Sequence, residues 1–228
     1  DAINVVIVAD EQTRILECSQ GKYDTAFRIC GSPNEIPFLS ENASKGGYHF
    51  LENYMNGAGA WPGYMVNQYY VEGGKNYDDD TAEHAKEIRD LLRNAKFRQA
   101  LSIAIDRQRV IDVAWGGIGE AKQATLSPQS WHFASPEGQA IYKEWRDSYI
   151  EYDPDGSMAL FDGIGFVDAD GDGWRDLPSG APFTLVIDQD RTWTGDSIVT
   201  SSNEAYASDL NAVGIDVLIN DVTNTPEN

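Results

Sequence analysis

The chain has 228 residues, of which 41% are hydrophobic and 24% charged, a composition typical of a globular protein with one large or two small cores. Its 37 acidic and 17 basic side chains give a formal net charge of −20, which excludes nucleic acid as a partner because phosphates would be repelled. No apolar run approaches the roughly 18 residues that cross a bilayer.

The first elements predict a strand-helix-strand unit. Residues Ile3–Ala9 form a nearly continuous β-branched run, which indicates a strand buried on both faces. Asp10 is placed to cap a helix that Gly21 ends, because a carboxylate accepts from free helix N–H groups and glycine tolerates the left-handed stop. Residues 22–29 are then predicted to form the next strand.

Shorter elements follow this unit. Ser32–Glu35 has the pattern of a capping box, so a short helix is predicted to run towards Ser44. Strands are predicted at Tyr48–Tyr54 and Tyr64–Tyr70, joined by a glycine-rich turn. Residues 72–80 lack any periodicity and indicate a solvated loop.

The middle of the chain predicts three consecutive helices. The first spans Thr81–Leu92, and the second spans Asn94–Arg107 with an apolar stripe at helical spacing, which indicates packing against a core. Asp106 can cap a third helix, Arg107–Trp115, which Gly116 ends. The stripe of the second helix consists of Phe97, Ala100, Leu101, Ala104 and Ile105.

The last third alternates helices and strands. Helices are predicted at Ser135–Tyr149 and Asp153–Phe161, followed by a strand at Phe183–Asp188. A long helix, Ser197–Val213, then leads to a strand at Ile215–Ile219. This alternation predicts an α/β architecture with helices on the faces of a sheet.

An acidic loop between these elements is a candidate cation site. Its spacing matches a calcium loop, in which carboxylates and one carbonyl supply most of the six to eight oxygens that Ca²⁺ prefers. Ser179 stands where a bidentate Glu would be expected. A polar turn that needs Asp and Gly for its backbone angles is the alternative, and any calcium would be structural, with no cofactor required. The predicted ligands are Asp168, Asp170, Asp172, Trp174 and Asp176.

No catalytic motif is present in the sequence, so no catalytic residue is assigned and no enzyme is predicted. The histidines His49, His84 and His132 lie far apart and are interpreted as surface or packing residues. Cys18 and Cys30 leave two alternatives open, a disulfide or two buried thiols. Neither has a nearby Cys or His, which argues against zinc.

Two segments together resemble one protein family. The first reads FRQALSIAIDRQRVIDVAWGG, from Phe97 to Gly117, after a predicted strand with Asn67. The second runs from Tyr152 to Ile187 and contains YDP, a helix, DADGDGWRD and a strand, in that order. Both resemble the dipeptide- and oligopeptide-binding proteins of ABC importers, which form family 5 of the extracellular solute-binding proteins. The segment before the first one departs from the family pattern by its longer link.

The resemblance implies one lobe of a two-lobed, type II periplasmic-binding-protein fold, with a mixed sheet and helices on its faces. Residues 1–228 would form this single distal lobe, and the other lobe would close over the solute like a hinge. The implied partners are a peptide or other small solute and the permease subunits of an ABC importer. The implied protein is an exported monomer located in the periplasm or on the outer face of the cell membrane, with a lipid anchor left open.

The ligand-facing surface is predicted from strand ends, where open α/β sheets hold ligands. The strand Tyr64–Tyr70 and the loop Gln189–Gly195 combine aromatic area with amide and guanidinium donors that a peptide could use. For the two tyrosines, core packing is the competing interpretation. The predicted ligand-binding residues are Tyr64, Asn67, Tyr69, Arg191 and Trp193.

Two alternative functions remain beside solute binding. The acidic loop is compatible with a secreted calcium-binding interaction module, and the acidic composition is compatible with an extracellular hydrolase whose catalytic residues follow no recognised motif. The resemblance does not identify the solute, because dipeptides, oligopeptides, nickel chelates and sugars are bound on similar scaffolds.

Overall fold

A computed structural model describes residues 2–26, 35–49, 63–71, 82–190 and 196–222. Within these ranges, no helix combines the length and the apolar character that a membrane span requires. The eight α-helices and two strands of the described residues are α1 Glu11–Ser19, α2 Ile36–Gly46, α3 Ala82–Arg93, α4 Ala95–Ile103, α5 Arg107–Trp115, α6 Pro136–Arg146, α7 Pro154–Asp162, β1 Thr184–Asp190, α8 Asp196–Ala212 and β2 Asp216–Val222.

The chain divides into two compact units, Asp1–Tyr54 and Met55–Asn228. The first unit contains α1 and α2, and the second contains all the other elements. The single lobe predicted over residues 1–228 therefore stays a prediction.

The first unit is built on two short helices. Asp10 caps α1 by accepting from the Thr13 backbone N–H at 2.7 Å, as its position predicts. Glu35 is the N-cap of α2 but makes no side-chain capping bond, so the predicted capping box is wrong at that residue, while Ser32 lies outside the described residues. The helices share a small core of Ile15, Cys18 and Leu39.

The predicted strand Ile3–Ala9 is wrong for this unit. These residues form no ladder with any described strand, and Ile3 and Ile7 are 95% and 91% exposed. The β-branched pattern records a preference for extended backbone, but a strand also needs neighbours that supply hydrogen bonds. The described parts of the strands predicted at 22–29 and Tyr48–Tyr54 are not strands either, and the remainder lies outside the described residues.

Cys18 is a buried free thiol, which corresponds to the second of the two alternatives for the cysteines. Burial raises the pKa of the Cys18 thiol, so the group remains protonated and packs as a small apolar side chain. Cys30 lies outside the described residues.

Helix α4 is the centre of the second unit. Its predicted apolar stripe is confirmed, because all five residues from Phe97 to Ile105 in that stripe are buried. Phe97 contacts the rings of Phe161, Phe166 and Phe183, with centroids 5.5 to 6.1 Å apart in tilted or edge-to-face arrangements. Helix α4 thus joins α7 and the start of β1 in one aromatic core.

The predicted helix Asn94–Arg107 is shorter in the structure. Asn94 caps α4 through the Lys96 N–H, and the helix ends at Ile103. Asp106 then caps α5 by accepting from the Arg109 N–H at 3.0 Å, which confirms its predicted role. The two helices are therefore separate, with the non-helical residues 104–106 between them.

The end of the second unit is a parallel β-α-β motif. Strands β1 and β2 pair in parallel with Thr184 opposite Asp216 and Gln189 opposite Asp221, and α8 connects them. Helix α8 also packs against α5. These elements confirm the predicted strand-helix-strand order, with bounds shifted by one to three residues.

The predicted strand Tyr64–Tyr70 is wrong as well. Residues 63–67 have no regular structure and 68–69 form a turn, in which the Asn67 side-chain oxygen accepts from the Tyr69 N–H at 2.9 Å. Such Asx turns compete with extended pairing, because the side chain takes the hydrogen bond that a partner strand would supply.

Candidate functional site

A cleft of about 670 Å³ lies beside α4 in the second unit. Its walls are formed by α4, α5, the segment 118–124 and the end of α6, with Tyr64 and Tyr206 closing one side. The volume is within the range of small-molecule sites in proteins. We therefore treat this cleft as the candidate ligand site.

The cleft accounts for the incomplete burial of α5. Sequence periodicity predicts an apolar face containing Val110 and Ile111, yet no residue of α5 is fully buried. Both side chains line the cleft, as does Trp115 at the end of the helix. Part of the apolar face of α5 is therefore available to a ligand.

Ser102 organises the floor of the cleft. Its hydroxyl donates to the Tyr149 carbonyl at 2.7 Å and accepts from Arg107 and Gln123, each at 2.8 Å. Gln123 also donates to the Ser148 carbonyl at 2.8 Å. These bonds join α4, α5, the segment 118–124 and the residues after α6.

Tyr149, which lines this floor, is held in an unusual backbone conformation. Its φ is +52°, in the left-handed region that residues other than glycine rarely adopt. The Ser102 bond to its carbonyl helps to hold it there. Such conformations are retained where the surrounding structure enforces them, often at binding sites.

A chain of polar side chains runs from the cleft to the sheet. The Tyr64 hydroxyl donates to Asn203 at 2.8 Å, and Asn203 donates to Gln189 at 2.7 Å. Gln189 in turn donates to Asp221, its register partner at the carboxyl ends of the two strands. The cleft wall is thereby connected to the strand ends, where open α/β sheets hold ligands.

Tyr64 and Tyr206 stack on each other at the cleft wall. Their ring centroids are 4.0 Å apart and the rings are nearly parallel, at 14°. Burial raises the pKa of Tyr64, and burial also raises the pKa of Tyr206 to about 12, although nearby Arg107 opposes that second shift. Both phenols are therefore neutral hydrogen-bonding groups at physiological pH.

The charge of the cleft is opposite to that of the chain. Three cationic residues, Arg98, Arg107 and Lys122, line it with one acidic residue, Glu120. Glu120 is engaged by Arg146 at 3.3 Å. Burial lowers the pKa of Arg107, which reports that its charged form is partly desolvated. The cleft is thus a cationic site in an acidic protein.

The structure brings one of the predicted ligand-binding residues to this cleft. Tyr64 lines it, whereas Asn67 is exposed in its turn and Tyr69 is 80% exposed, 5.4 Å from the Arg93 guanidinium. Neither Asn67 nor Tyr69 lines the cleft. Arg191 and Trp193 lie outside the described residues, so their ligand role stays a prediction.

Sequence reasoning missed Arg107, Tyr206, Trp145 and Tyr149 as cleft residues. A charge signal was nevertheless present in the segment from residue 93 to residue 122. It contains six cations and three acidic residues, whereas the chain as a whole has 17 and 37. These residues are Arg93, Lys96, Arg98, Arg107, Arg109 and Lys122, with Asp106, Asp112 and Glu120.

The acidic loop forms a separate feature. Carboxylate oxygens of Asp168, Asp170 and Asp176 lie within 4.8 Å of one another, with Asp176 buried. Asp172 is not in this group, and its carboxylate accepts from the Trp174 N–H at 2.8 Å. Three of the five predicted ligands thus lie close enough to share one cation, and calcium binding stays a prediction.

The backbone hydrogen bonds of this loop also agree with the alternative interpretation, a polar turn. Asp168 accepts from the N–H groups of Gly171 and Gly173 at 2.7 and 3.0 Å, and both glycines have positive φ. The loop position where a calcium site has a bidentate Glu holds Ser179, which donates to Glu87 at 2.6 Å. The loop is therefore ordered by its own hydrogen bonds.

Comparison with protein families gives one match over the whole chain. The sequence model described as bacterial extracellular solute-binding proteins, family 5 Middle, matches residues 1–228.

Individual relatives are similar over part of their length. A periplasmic alpha-galactoside-binding protein of Rhizobium meliloti is 30% identical over 44% of this chain, and the oligopeptide-binding protein AppA of Bacillus subtilis is 27% identical over 58%. The solved structure of an oligopeptide-binding protein, OppA, is 25% identical over 94% of this chain, with a TM-score of 0.67. The chain spans 13%, 22% and 30% of these three proteins, respectively.

Proposed function

Since the chain belongs to family 5 of the bacterial extracellular solute-binding proteins, we propose that it forms part of the peptide-binding component of an ABC importer and holds the solute in the cleft beside α4. Its fold is part of the type II periplasmic-binding-protein fold, with helices and a small sheet. Family members are substrate-binding transport proteins rather than enzymes.

The observation that carries this proposal is the combination of surfaces in the cleft. Trp115, Trp145 and Tyr149 offer aromatic and apolar area, while Arg107 offers the hydrogen-bond donors that its bonds within the protein leave over. Small-molecule sites generally combine an apolar lining with a few placed polar groups that fix orientation. A short peptide presents matching chemistry, because it has apolar side chains and carbonyl acceptors.

The position of the cleft also supports the proposal. The hydrogen bonds from Tyr64 through Asn203 and Gln189 connect one wall to the carboxyl ends of β1 and β2. In the proposed receptor, a second lobe closes over the solute from outside this unit and excludes water. The proposed location is extracytoplasmic, and the proposed partners are permease subunits.

Two tryptophans provide a matched test. Trp145 lines the cleft and is 45% exposed, whereas Trp131 is 79% exposed and does not line it. In the full-length protein, Trp145→Ala should weaken the binding of tri- to pentapeptides by ten-fold or more, about 1.4 kcal/mol. Trp131→Ala should leave the affinity within about two-fold, because it removes the same type of side chain outside the cleft.

Isothermal titration calorimetry on both variants would test whether the peptide binds in the cleft. Both substitutions remove partly exposed rings, so circular dichroism should show an intact fold in each. Equal affinities in the unmodified protein and in Trp145→Ala would exclude the cleft as the binding site. Absence of peptide binding by the unmodified protein would contradict the proposed solute class.

A further inference from the structure

We propose that the cleft selects solutes bearing a carboxylate and that the Arg107 guanidinium receives that group. This inference rests on the proposed function and specifies its substrate class. It depends on three features of the described residues: the hydrogen-bond partners of Arg107, the pairing of other arginines and the charge of the cleft.

Arg107 has donors to spare beside the cleft. Its Nη1 donates to the Ser102 and Ile150 carbonyls at 2.7 and 3.4 Å, and its Nη2 donates to the Ser102 hydroxyl at 2.8 Å. Within the described residues, Nε and the second Nη2 N–H have no acceptor. These two N–H groups form one edge of the guanidinium fork, which is the geometry that binds a carboxylate through two parallel bonds.

Three other arginines of the same unit each form an ion pair with a carboxylate, unlike Arg107. Arg109 pairs with Asp209 at 2.5 Å, Arg146 with Asp147 at 2.5 Å and Arg175 with Asp162 at 2.7 Å. Arg107 is half-buried, yet all its described partners are neutral oxygens. A desolvated cation without a carboxylate is costly unless an anion completes the site.

The surrounding cleft favours an anion over a cation or a neutral group. Arg98 and Lys122 add positive charge, and the single lining carboxylate, Glu120, is engaged by Arg146. Tyr206 and then Glu151 oppose the effect of burial on the pKa of Arg107, but no ion pair joins Glu151 to Arg107 among the described residues. A ligand carboxylate would therefore meet an attractive potential in a partly dry site.

The Ser102 network keeps the guanidinium oriented for this role. The hydroxyl of Ser102 fixes Nη2, and Gln123 fixes that hydroxyl from the other side. The plane of the fork is thereby set before a ligand arrives, which reduces the entropy lost on binding. Arg107 also joins the residues after α6 to α4, so the test must separate ligand recognition from folding.

The carboxylate can come from two sources in solutes of this size, a peptide C-terminus and a uronic acid. The probes are trialanine with its C-terminal amide, and trigalacturonate with the neutral galactotriose. Calorimetry on the unmodified full-length protein should show at least ten-fold tighter binding of the acid than of its neutral partner, in whichever pair binds. This comparison needs no mutation, so it does not depend on the folding of a variant.

Protein variants then locate the effect. Arg107→Gln should weaken binding of the acidic probe at least ten-fold and abolish the preference over its neutral partner, because the guanidinium that pairs with the carboxylate is then absent. Arg107→Lys should retain part of the preference through its charge, without the two parallel bonds. Arg93→Gln, on exposed surface outside the cleft, is the control for charge removal and should keep the preference.

The outcomes separate this inference from the proposed function. Equal binding of an acid and its neutral partner would overturn carboxylate selection while leaving solute binding in place. A preference that survives in folded Arg107→Gln would overturn the assignment to Arg107. Binding of trigalacturonate without binding of any peptide would support the inference, identify a saccharide as the source and contradict the proposed peptide solute. If none of the four probes binds, both the proposed function and the inference fail.

Discussion

The two sides of α4 have different surroundings, although Leu101 and Ile105 of the apolar stripe also reach the cleft. On one side, Phe97 packs against three other phenylalanines in a dry core. On the other side, Arg98, Gln99 and Ser102 line an open cleft. The first side stabilises the unit by apolar burial, whereas the second holds polar groups in place by hydrogen bonds.

This difference separates the residues that maintain the fold from those available for binding. A polar face on an amphipathic helix is usually interpreted as solvated surface. Here the same face has Ser102 bonded to three neighbouring segments and contributes a wall to the cleft. Substitutions on the two sides should therefore affect different quantities, stability on one and ligand affinity on the other.

Phe97→Ala should produce the largest effect of all. Phe97 is completely buried, so truncation removes its apolar contacts and leaves a cavity, at a cost of about 3–5 kcal/mol. Urea unfolding followed by circular dichroism should show this as a lowered midpoint. Lys96→Ala, at an exposed position of the same helix, is the control and should change stability by less than about 0.5 kcal/mol. Equal midpoints for the two variants would mean that the aromatic core is misplaced.

The core side of α4 could be predicted from the sequence because its signal is local. Phe97, Leu101 and Ile105 recur at helical spacing, and Asn94 and Asp106 are polar side chains at the positions that cap helices. Strands β1 and β2 were predicted for the same reason, as short apolar runs separated by one helix. In contrast, the run Ile3–Ala9 has strong β propensity but no described partner, since pairing depends on residues elsewhere in the chain.

The cleft could not be predicted in the same way. Tyr64, Arg107 and Tyr206 come together from widely separated parts of the chain, and each one fits a local interpretation. Tyr206 fits the apolar face of α8, and Arg107 follows the cap of α5. The local excess of cations between residues 93 and 122 was the only sequence signal in this region, and it indicates charge without geometry.

A buried tyrosine on the cleft side should also make the stability of the unit depend on alkaline pH. The pKa of Tyr206 is raised from 10.0 to about 12, chiefly by burial. Above pH 10 the unfolded chain releases this proton while the folded protein keeps it, so stability present below pH 10 is lost as the pH approaches 12. The loss should reach about 2 kcal/mol.

Tyr206→Phe isolates this contribution, because it removes the ionisable hydroxyl and keeps the ring. Melting temperatures measured from pH 9 to 11.5 should fall more steeply for the unmodified protein than for the variant. Tyr152→Phe, at an exposed position, controls for the general effects of alkaline pH and should keep the steeper slope. Identical slopes for Tyr206→Phe and the unmodified protein would contradict the burial of this phenol.

Calcium binding should raise the stability by a smaller amount, and it would act at the acidic loop, on the core side. The acidic loop adjoins Arg175, whose guanidinium bonds to the Val213 and Phe166 carbonyls at 2.9 and 2.6 Å. Calcium that binds only the folded loop would stabilise it by about 1.4 kcal/mol at ten times its Kd. Asp170→Asn should blunt the rise in melting temperature, whereas Asp112→Asn on α5 should not. No shift between chelator and millimolar-scale calcium would leave the loop as a hydrogen-bonded turn.

The central claim is that the polar side of α4 faces the solute, and a crystal structure of the full-length protein with a bound tripeptide tests it most directly. The account predicts that the peptide lies between α4, α5 and the segment 118–124, contacts Trp145 and Tyr149, and places its carboxylate within about 3 Å of the Arg107 guanidinium. A peptide bound elsewhere, with the cleft beside α4 filled by solvent or by other parts of the protein, would contradict it.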